Sequence, residues 1–389
     1  MLWHNSTPAA KQCIRRMSCS AELMRPETRL IPGSRGEAPR ITALVHGIPH
    51  EHAARMDSRS NMLAQRMVRE RRSGLVLLLL ASLAVWSRWS SSPPQESSSG
   101  VTGNVSDEPG RLVDRRDFVF VLDSSRCHSQ HDLFLAVFVH SAPAHFGRRR
   151  AIRETWGNAS ALAAATARAM ALVFLVGQAA GLEGALRAES AAHGDLVMGN
   201  FVDSYHNLTY KHVMGLKWVA SRCSQAHYVL KTDDDVFMDL FQVSTQLGPR
   251  APARLLMCGL IRRPYVKRSQ RSKWRVSFRE YRPHRYPPYC SGWAIFMSPD
   301  VVRDLYRAST DVPYFWVDDV LVTGILAQRL GIEHVDLGPR LARDARDARA
   351  WLRDGGPPPL GHPDLDTELV YRLWQRTREN MDASLKNKG

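Results

Sequence analysis

Three carboxylates stand side by side at Asp233, Asp234 and Asp235, after the run Tyr228-Val229-Leu230-Lys231-Thr232 and before Val236-Phe237. Adjacent carboxylates repel one another, an arrangement favoured when a hard cation shares their charge. An apolar run ending in acids is how a strand delivers charge to the ligand-binding tip of an α/β sheet. A D-x-D cation site suits chemistry in which a diphosphate leaves, because the cation neutralises charge as the bond breaks. An isolated acidic triplet is also the composition of a surface turn, but the apolar residues on both sides argue for buried flanks.

Three further segments carry chemistry. In Arg148-Arg149-Arg150-Ala151-Ile152-Arg153-Glu154-Thr155-Trp156-Gly157, arginines at a strand-to-helix junction can hold phosphate or uracil oxygens bidentately, or form a solvated basic face. Tyr286-Pro287-Pro288-Tyr289-Cys290-Ser291-Gly292 is a stiff turn whose two rings can stack on a sugar, or a structural loop. Val317-Asp318-Asp319-Val320 opens an apolar-faced helix. Asp318 is by default an N-cap, and a first-turn carboxylate can also act as a general base on a sugar hydroxyl. No G-x-G-x-x-G or Walker loop occurs, so a metal is expected to take the phosphate-holding role.

The elements that must position these groups alternate. Apolar runs at 133–139, 171–176, 196–198, 228–230, 255–260 and 293–297 read as strands, and 148–156, 161–170, 205–221, 299–308 and 317–330 read as helices. The alternation predicts an α/β fold, with a nucleotide-binding half followed by an acceptor half.

Length allows one large or two ordinary domains in 389 residues. The formal net charge is +15, and residues 1–72 hold 13 Lys/Arg against 6 Asp/Glu. The charge reads as widely spread, and no nucleic-acid-binding signature accompanies it, so no nucleic-acid partner is expected. A basic surface also suits anionic sugar nucleotides and an anionic membrane face. Residues 1–72 are polar, basic and unpatterned, which reads as disorder. Met62 and Met67 each open a compact basic-then-apolar start, so part of the preceding segment reads as a gene-model extension or a dispensable tail. The apolar run within 73–89 follows Arg66, Arg69, Arg71 and Arg72, which predicts a signal anchor with the remainder delivered to the lumen. A cleaved signal peptide is the alternative. Residues 90–115 read as a flexible stem and 116–389 as the luminal domain. Cys127, Cys223, Cys258 and Cys290 permit two disulfides in any of three connectivities. Sequons begin at Asn104, Asn158 and Asn207.

Together the blocks RRRAIRETWG (148–157), FVDSYHNLTYKHVMGLKW (201–218), YVLKTDDDVF (228–237), KW (273–274), YPPYCSG (286–292) and VDDVLVTGILAQRLG (317–331) resemble the inverting β-1,3-glycosyltransferases. That family includes β-1,3-galactosyltransferases and β-1,3-N-acetylglucosaminyltransferases. The resemblance covers about residues 130–335. It implies a GT-A-like fold (a Rossmann-like sheet plus an acceptor-binding half) behind a single transmembrane helix, in a type II Golgi membrane protein. It also implies a UDP-sugar donor, a glycan acceptor on glycoprotein or glycolipid, and Mn²⁺ or another divalent cation. Carried over, Asp233, Asp234 and Asp235 lie at the nucleotide, with Asp235 and then Asp233 as metal ligands and Arg149 and Arg153 nearby. Asp319 is the expected base, with Asp318 beside it, and Trp274, Tyr289, Gly292 and Trp293 fall in the acceptor region. A third metal ligand would be a histidine downstream, His334 or His362. The chain departs from the family in having Trp293-Ala294-Ile295 after Ser291-Gly292, and residues 343–389 match nothing recognisable.

UDP-galactose is the expected donor, with UDP-GlcNAc on the same fold as its rival. A silent, glycan-binding relative is opposed by the retained carboxylates. A D-x-D phosphatase is opposed by Lys231-Thr232 before the triplet and Phe237 after it.

Overall fold

The computed structural model describes residues 111–128 and 132–386. In chain order the strands are β1 Phe120–Leu122, β2 Leu135–His140, β3 Met170–Gln178, β4 Leu196–Val202, β5 Tyr228–Asp233, β6 Phe237–Met238, β7 Leu256–Cys258, β8 Leu260–Ile261, β9 Tyr289–Cys290, β10 Ile295–Met297, β11 His334–Asp336 and β12 Gly361–His362. Eight of them form one mixed sheet in the order β1-β4-β3-β2-β5-β10-β7-β11. β4, β3, β2 and β5 run parallel, and β10 is antiparallel to both β5 and β7.

β2 and β3 lack polar alternation because both faces of the sheet are covered. One apolar core holds Phe138, Leu216, Trp218 and Val320, and the other holds Trp156, Leu172, Phe237 and Leu369. Trp156 and Trp218 are fully buried, and truncating either to Ala would cost about 3–5 kcal/mol. Helix Leu208–Arg222 approaches the sheet at Gly215, where a Cβ would stand 2.7 Å from the Phe138 ring.

The topology sets the site. β2 leads to β3 on one side, while β5 pairs with its other edge. Strand order therefore reverses between β2 and β5, which is where open α/β sheets bind ligands. His140 and Asp233 face each other in register at that point.

Several elements differ from the sequence reading. The helix expected to 170 stops at Thr166, because Ala167 turns left-handed (φ 54) and frees Met170 to open β3. Leu112 and Val113, read as stem, are buried in the core. The helix read over 317–330 is a π-helical segment Val320–Leu326 continuing into Ala327–Arg329. The unplaced C-terminal segment forms helix Ala345–Asp354, β12 and helix Thr367–Lys386. Of the three possible connectivities, the disulfides are Cys127–Cys223 and Cys258–Cys290.

The segments 1–72 and 73–89 and the sequon at Asn104 lie outside the described residues. Among the described residues no helix is long and apolar enough to cross a membrane. Asn158 caps helix Ala159–Thr166, accepting from Ala161 N at 2.9 Å. The Asn207 sequon is built into the fold: its amide donates to Val202 O at 2.8 Å, and buried Thr209 donates to Phe315 O at 2.6 Å.

Candidate active site

The three carboxylates at the end of β5 have different surroundings. Asp234 is buried and accepts from Ser141 Oγ (2.7 Å) and Arg148 Nη1 (3.0 Å), with His145 Nδ1 at 2.8 Å. Its oxygens hold the loop after β2 in place, which corrects the expectation that it binds nucleotide. Asp233 and Asp235 remain about one-third exposed. Asp233 accepts from Lys231 Nζ at 2.7 Å, and Arg148 Nη1 lies 3.2 Å from Asp235. Low-dielectric surroundings push the Asp233 carboxyl up to about 6 against the opposing pull of Lys231, with Asp235 and Asp318 adding to the rise. Burial also raises Asp235; Asp234 and Asp364 add to this and Arg148 opposes it.

The arginines are reassigned. Arg149 is fully buried, and its guanidinium is consumed by Glu189, Ser141 Oγ, Ala142 O and Pro143 O at 2.6–3.1 Å. Arg153 is held by Asp195 and Glu189 at 2.8 Å and lies over the Phe174 ring. Arg149 has no donor left for a nucleotide, and Arg153 commits Nε and Nη2 to the two acids. Together they brace helix Phe146–Glu154 against the sheet. The cation of this segment that reaches the carboxylates is Arg148. Sequence reasoning passed over it because the helical phase of RRRAIRE was not resolved.

Asp318 and Asp319 arrive from the other half of the sheet. Asp318 is buried and, contrary to the N-cap expectation, bonds to His212 Nδ1 at 2.9 Å. Burial keeps His212 neutral, so its Nδ1–H donates to Asp318. That bond and Lys231 outweigh burial and hold the Asp318 carboxyl below its ordinary value. Asp319 is half-buried, and its Oδ1 has no hydrogen-bond partner. Burial and neighbouring Asp318 push its carboxyl well above the usual range, against Lys231 and a backbone hydrogen bond from Gly292. Thr323 Oγ donates to Asp319 O at 2.6 Å and accepts from Cys290 N at 3.0 Å, which ties β9 to the segment carrying both acids.

Lys231 links the two halves. Its buried ammonium donates to Asp233 Oδ1 and to Gly292 O, and it attracts Asp318 and Asp319. One cation thus offsets three converging carboxylates.

The expected acceptor-region residues separate. Tyr289 is half-buried and feels Asp319; burial chiefly raises its phenol, to about 12. Trp274 is 48% exposed and lies next to Tyr205, itself 45% exposed and within the field of Asp318, Asp319 and Asp233. Tyr205 therefore borders the site, although the sequence reading used its block only as a family marker. Trp293 points elsewhere: its ring lies 3.0 Å from where a Cβ on Gly361 of β12 would be.

Of the two histidines, His334 lies on the outermost strand with Nε2 bonded to Thr323 O at 2.6 Å. His362 pairs with Phe237, two residues beyond Asp235, and Leu365 N donates to Asp235 O at 2.9 Å. His362 is 1% exposed, its Nδ1 has no partner, and burial lowers its imidazole to about 4. The ring lies near Phe237 and Trp351, and the acid it feels is Asp347; its unpartnered nitrogen, on a segment that Leu365 ties to Asp235, is of the donor type that with carboxylate oxygens suits a divalent cation. Among the described residues, the group whose ligand atoms lie within 4.8 Å of one another is His212, Asp318 and Asp319, and there His212 is committed to Asp318.

Carboxylates at the switch point, faced by a second pair from the opposite half, mark an enzyme of glycosyl transfer. The galactosyltransferase family model matches residues 147–338. N-acetyllactosaminide beta-1,3-N-acetylglucosaminyltransferase 4 of Mus musculus is 37% identical over 220 residues, covering 56% of this chain and 61% of that protein. Beta-1,3-galactosyltransferase 1 of Homo sapiens is 33% identical over 234 residues, covering 59% and 70%. Beta-1,3-galactosyltransferase 5 of Gorilla gorilla gorilla is 33% identical over 266 residues, covering 68% and 84%. The chain belongs to the galactosyltransferase family, with β-1,3-hexosyltransferases as its relatives.

Proposed function

We propose that this protein transfers galactose from UDP-galactose to the 3-hydroxyl of a glycan on glycoprotein or glycolipid, with inversion. The observation that carries this reading is Asp319, whose unpartnered Oδ1 stands opposite the carboxylates at the end of β5. Asp319 takes the proton from the acceptor 3-hydroxyl. That oxygen bonds to the anomeric carbon as its bond to UDP breaks, so an α-linked donor gives a β-linked product. His212 keeps Asp318 ionised and fixed beside Asp319, and Lys231 holds Asp233 and the Gly292 carbonyl in place.

Asp235 and His362, with Asp233, would hold Mn²⁺ or another divalent cation, which when bound neutralises charge on the diphosphate. A GT-A-like arrangement and a type II position in the Golgi membrane complete the proposal. Their support is the basic-then-apolar sequence up to residue 89 and two disulfides, which suit an oxidising lumen. A second reading, UDP-GlcNAc as donor, is favoured by the name of the 37%-identical relative.

The purified full chain would be incubated with a panel of UDP-sugars, Mn²⁺ and β-linked GlcNAc, GalNAc and Gal acceptors. Cation-dependent UDP release with UDP-galactose and a β-1,3-linked product supports the first reading. Release with UDP-GlcNAc alone supports the second. A folded protein that binds UDP and releases none from any donor would point to a silent relative.

A further inference from the structure

Residues 1–72 carry a net +7, and residues 259–290 hold ten Lys/Arg and a single acid, Glu280, for +9. The remaining residues therefore sum to −1 of the chain's +15. The charge beyond the N-terminal segment is concentrated in one loop, not spread as the sequence reading had it.

The loop is a built structure. Cys258–Cys290 closes its base, and β8 pairs with β9 just inside that closure. Arg268 ties the interior, donating to the carbonyls of Val276, Tyr281 and Pro283 at 2.7–2.8 Å. Arg262 pairs with Asp336, and Arg285 donates to Tyr265. Arg263, Lys267, Arg271, Arg275, Arg279 and Arg282 are exposed and form no ion pair among the described residues. Like charges held this close together are favoured when an anion is to be bound.

Position decides which anion. The loop is docked on the rim of the transfer site: Trp274 meets Tyr205, Glu280 accepts from Trp316 Nε1 at 3.1 Å, and the loop runs out through Tyr289 to Gly292 beside Asp319. Exposed rings of Tyr265, Trp274 and Phe278 alternate with the cations. Rings that stack on sugar faces, interleaved with guanidinium groups that hold sulfate or carboxylate bidentately, match a charged glycan.

We propose that the 259–290 loop recognises an anionic glycan, so that the acceptor class is a sulfated or uronic-acid-bearing chain. This rests on the transfer reading above, and binding without donor separates the two. The probe is a heparin-derived octasaccharide, with a neutral oligosaccharide of the same length as control, titrated into the full chain at 150 mM NaCl. Intact Cys258–Cys290 and an unchanged melting temperature certify each variant.

Binding of the charged probe alone, weakened about tenfold or more in R271S/R275S/R279S and less than about twofold in R346S/R349S/R353S, is the expected result. Equal weakening in both triple variants would overturn the proposal, because the attraction would then be diffuse. A loop triple variant that loses binding to vesicles of phosphatidylcholine and phosphatidylserine, with its octasaccharide affinity intact, would overturn it in favour of a membrane face. The KM ratio of neutral to sulfated acceptors should also exceed about ten in the wild type and approach one in the loop variant. Donor hydrolysis without acceptor tests the transfer reading by itself.

Discussion

A side chain at position 292 would occupy the place of the Asp319 carboxylate: a Cβ built on Gly292 stands 2.3 Å from Asp319 Oδ2 and 2.4 Å from Oδ1. The backbone of the YCSG turn is therefore a wall of the Asp319 pocket. Gly292→Ala should displace Asp319 and lower kcat by about 10²-fold or more, with UDP affinity changed little. Normal turnover in that variant would show that Asp319 does not act from this position.

Asp319→Asn should retain donor binding and lose transfer by about 10²–10⁴-fold, the range of a general base. Binding is read by isothermal titration with UDP and transfer by product formation. If the variant transfers normally, the base is another group, with Asp318 next in line.

The raised carboxyl of Asp319 fixes the direction of the pH profile. A base must be deprotonated, so the acid limb of kcat/KM should lie at higher pH than an ordinary carboxylate gives. Lys231 opposes the rise, so Lys231→Met should move the limb further up, whereas a purely structural lysine would leave it in place.

His362 should link acid, stability and cation. Its folded-state value of about 4 lies below the ordinary value of 6.5, so the unfolded chain takes up this proton first on acidification. Stability from the buried neutral ring is complete above about 6.5 and lost as pH falls to about 4, by up to about 3 kcal/mol. Denaturant melts across that window should show a slope that His362→Phe removes. The same variant should lose the thermal shift that MnCl₂ with UDP gives the wild type.

Arg149 should behave as a brace. Arg149→Met leaves buried Glu189 with Arg153 alone and should destabilise by about 3–5 kcal/mol in urea melts. Its KM for donor should stay near the wild-type value, and a large KM effect without destabilisation would restore Arg149 to the nucleotide.

The sheet core was legible because 135–140 and 170–178 are apolar runs that only a covered parallel sheet accommodates. Asp233 and Asp319 were legible because strongly typed residues flank them. Which arginine faces the site was not, since Arg148, Arg149 and Arg153 differ only in helical phase. Lys231 read as an interruption of an apolar strand, because its partners Asp233 and Gly292 are brought together only by the pairing of β5 with β10. Residues 343–389 gave no pattern because β12 is two residues long and finds its partner more than a hundred residues upstream.

The pairing of β12 with β6, and Tyr371 bonding to Glu154 on the helix after β2, join residues 361–371 to the half of the sheet that carries β2 and β5. A reading frame broken near codon 358 would leave the whole span 147–338 intact and still lack His362 and the strand that covers Asp235. In a genome such an allele would count as a complete family domain, yet the protein it encodes would be without the strand that closes over the end of β5.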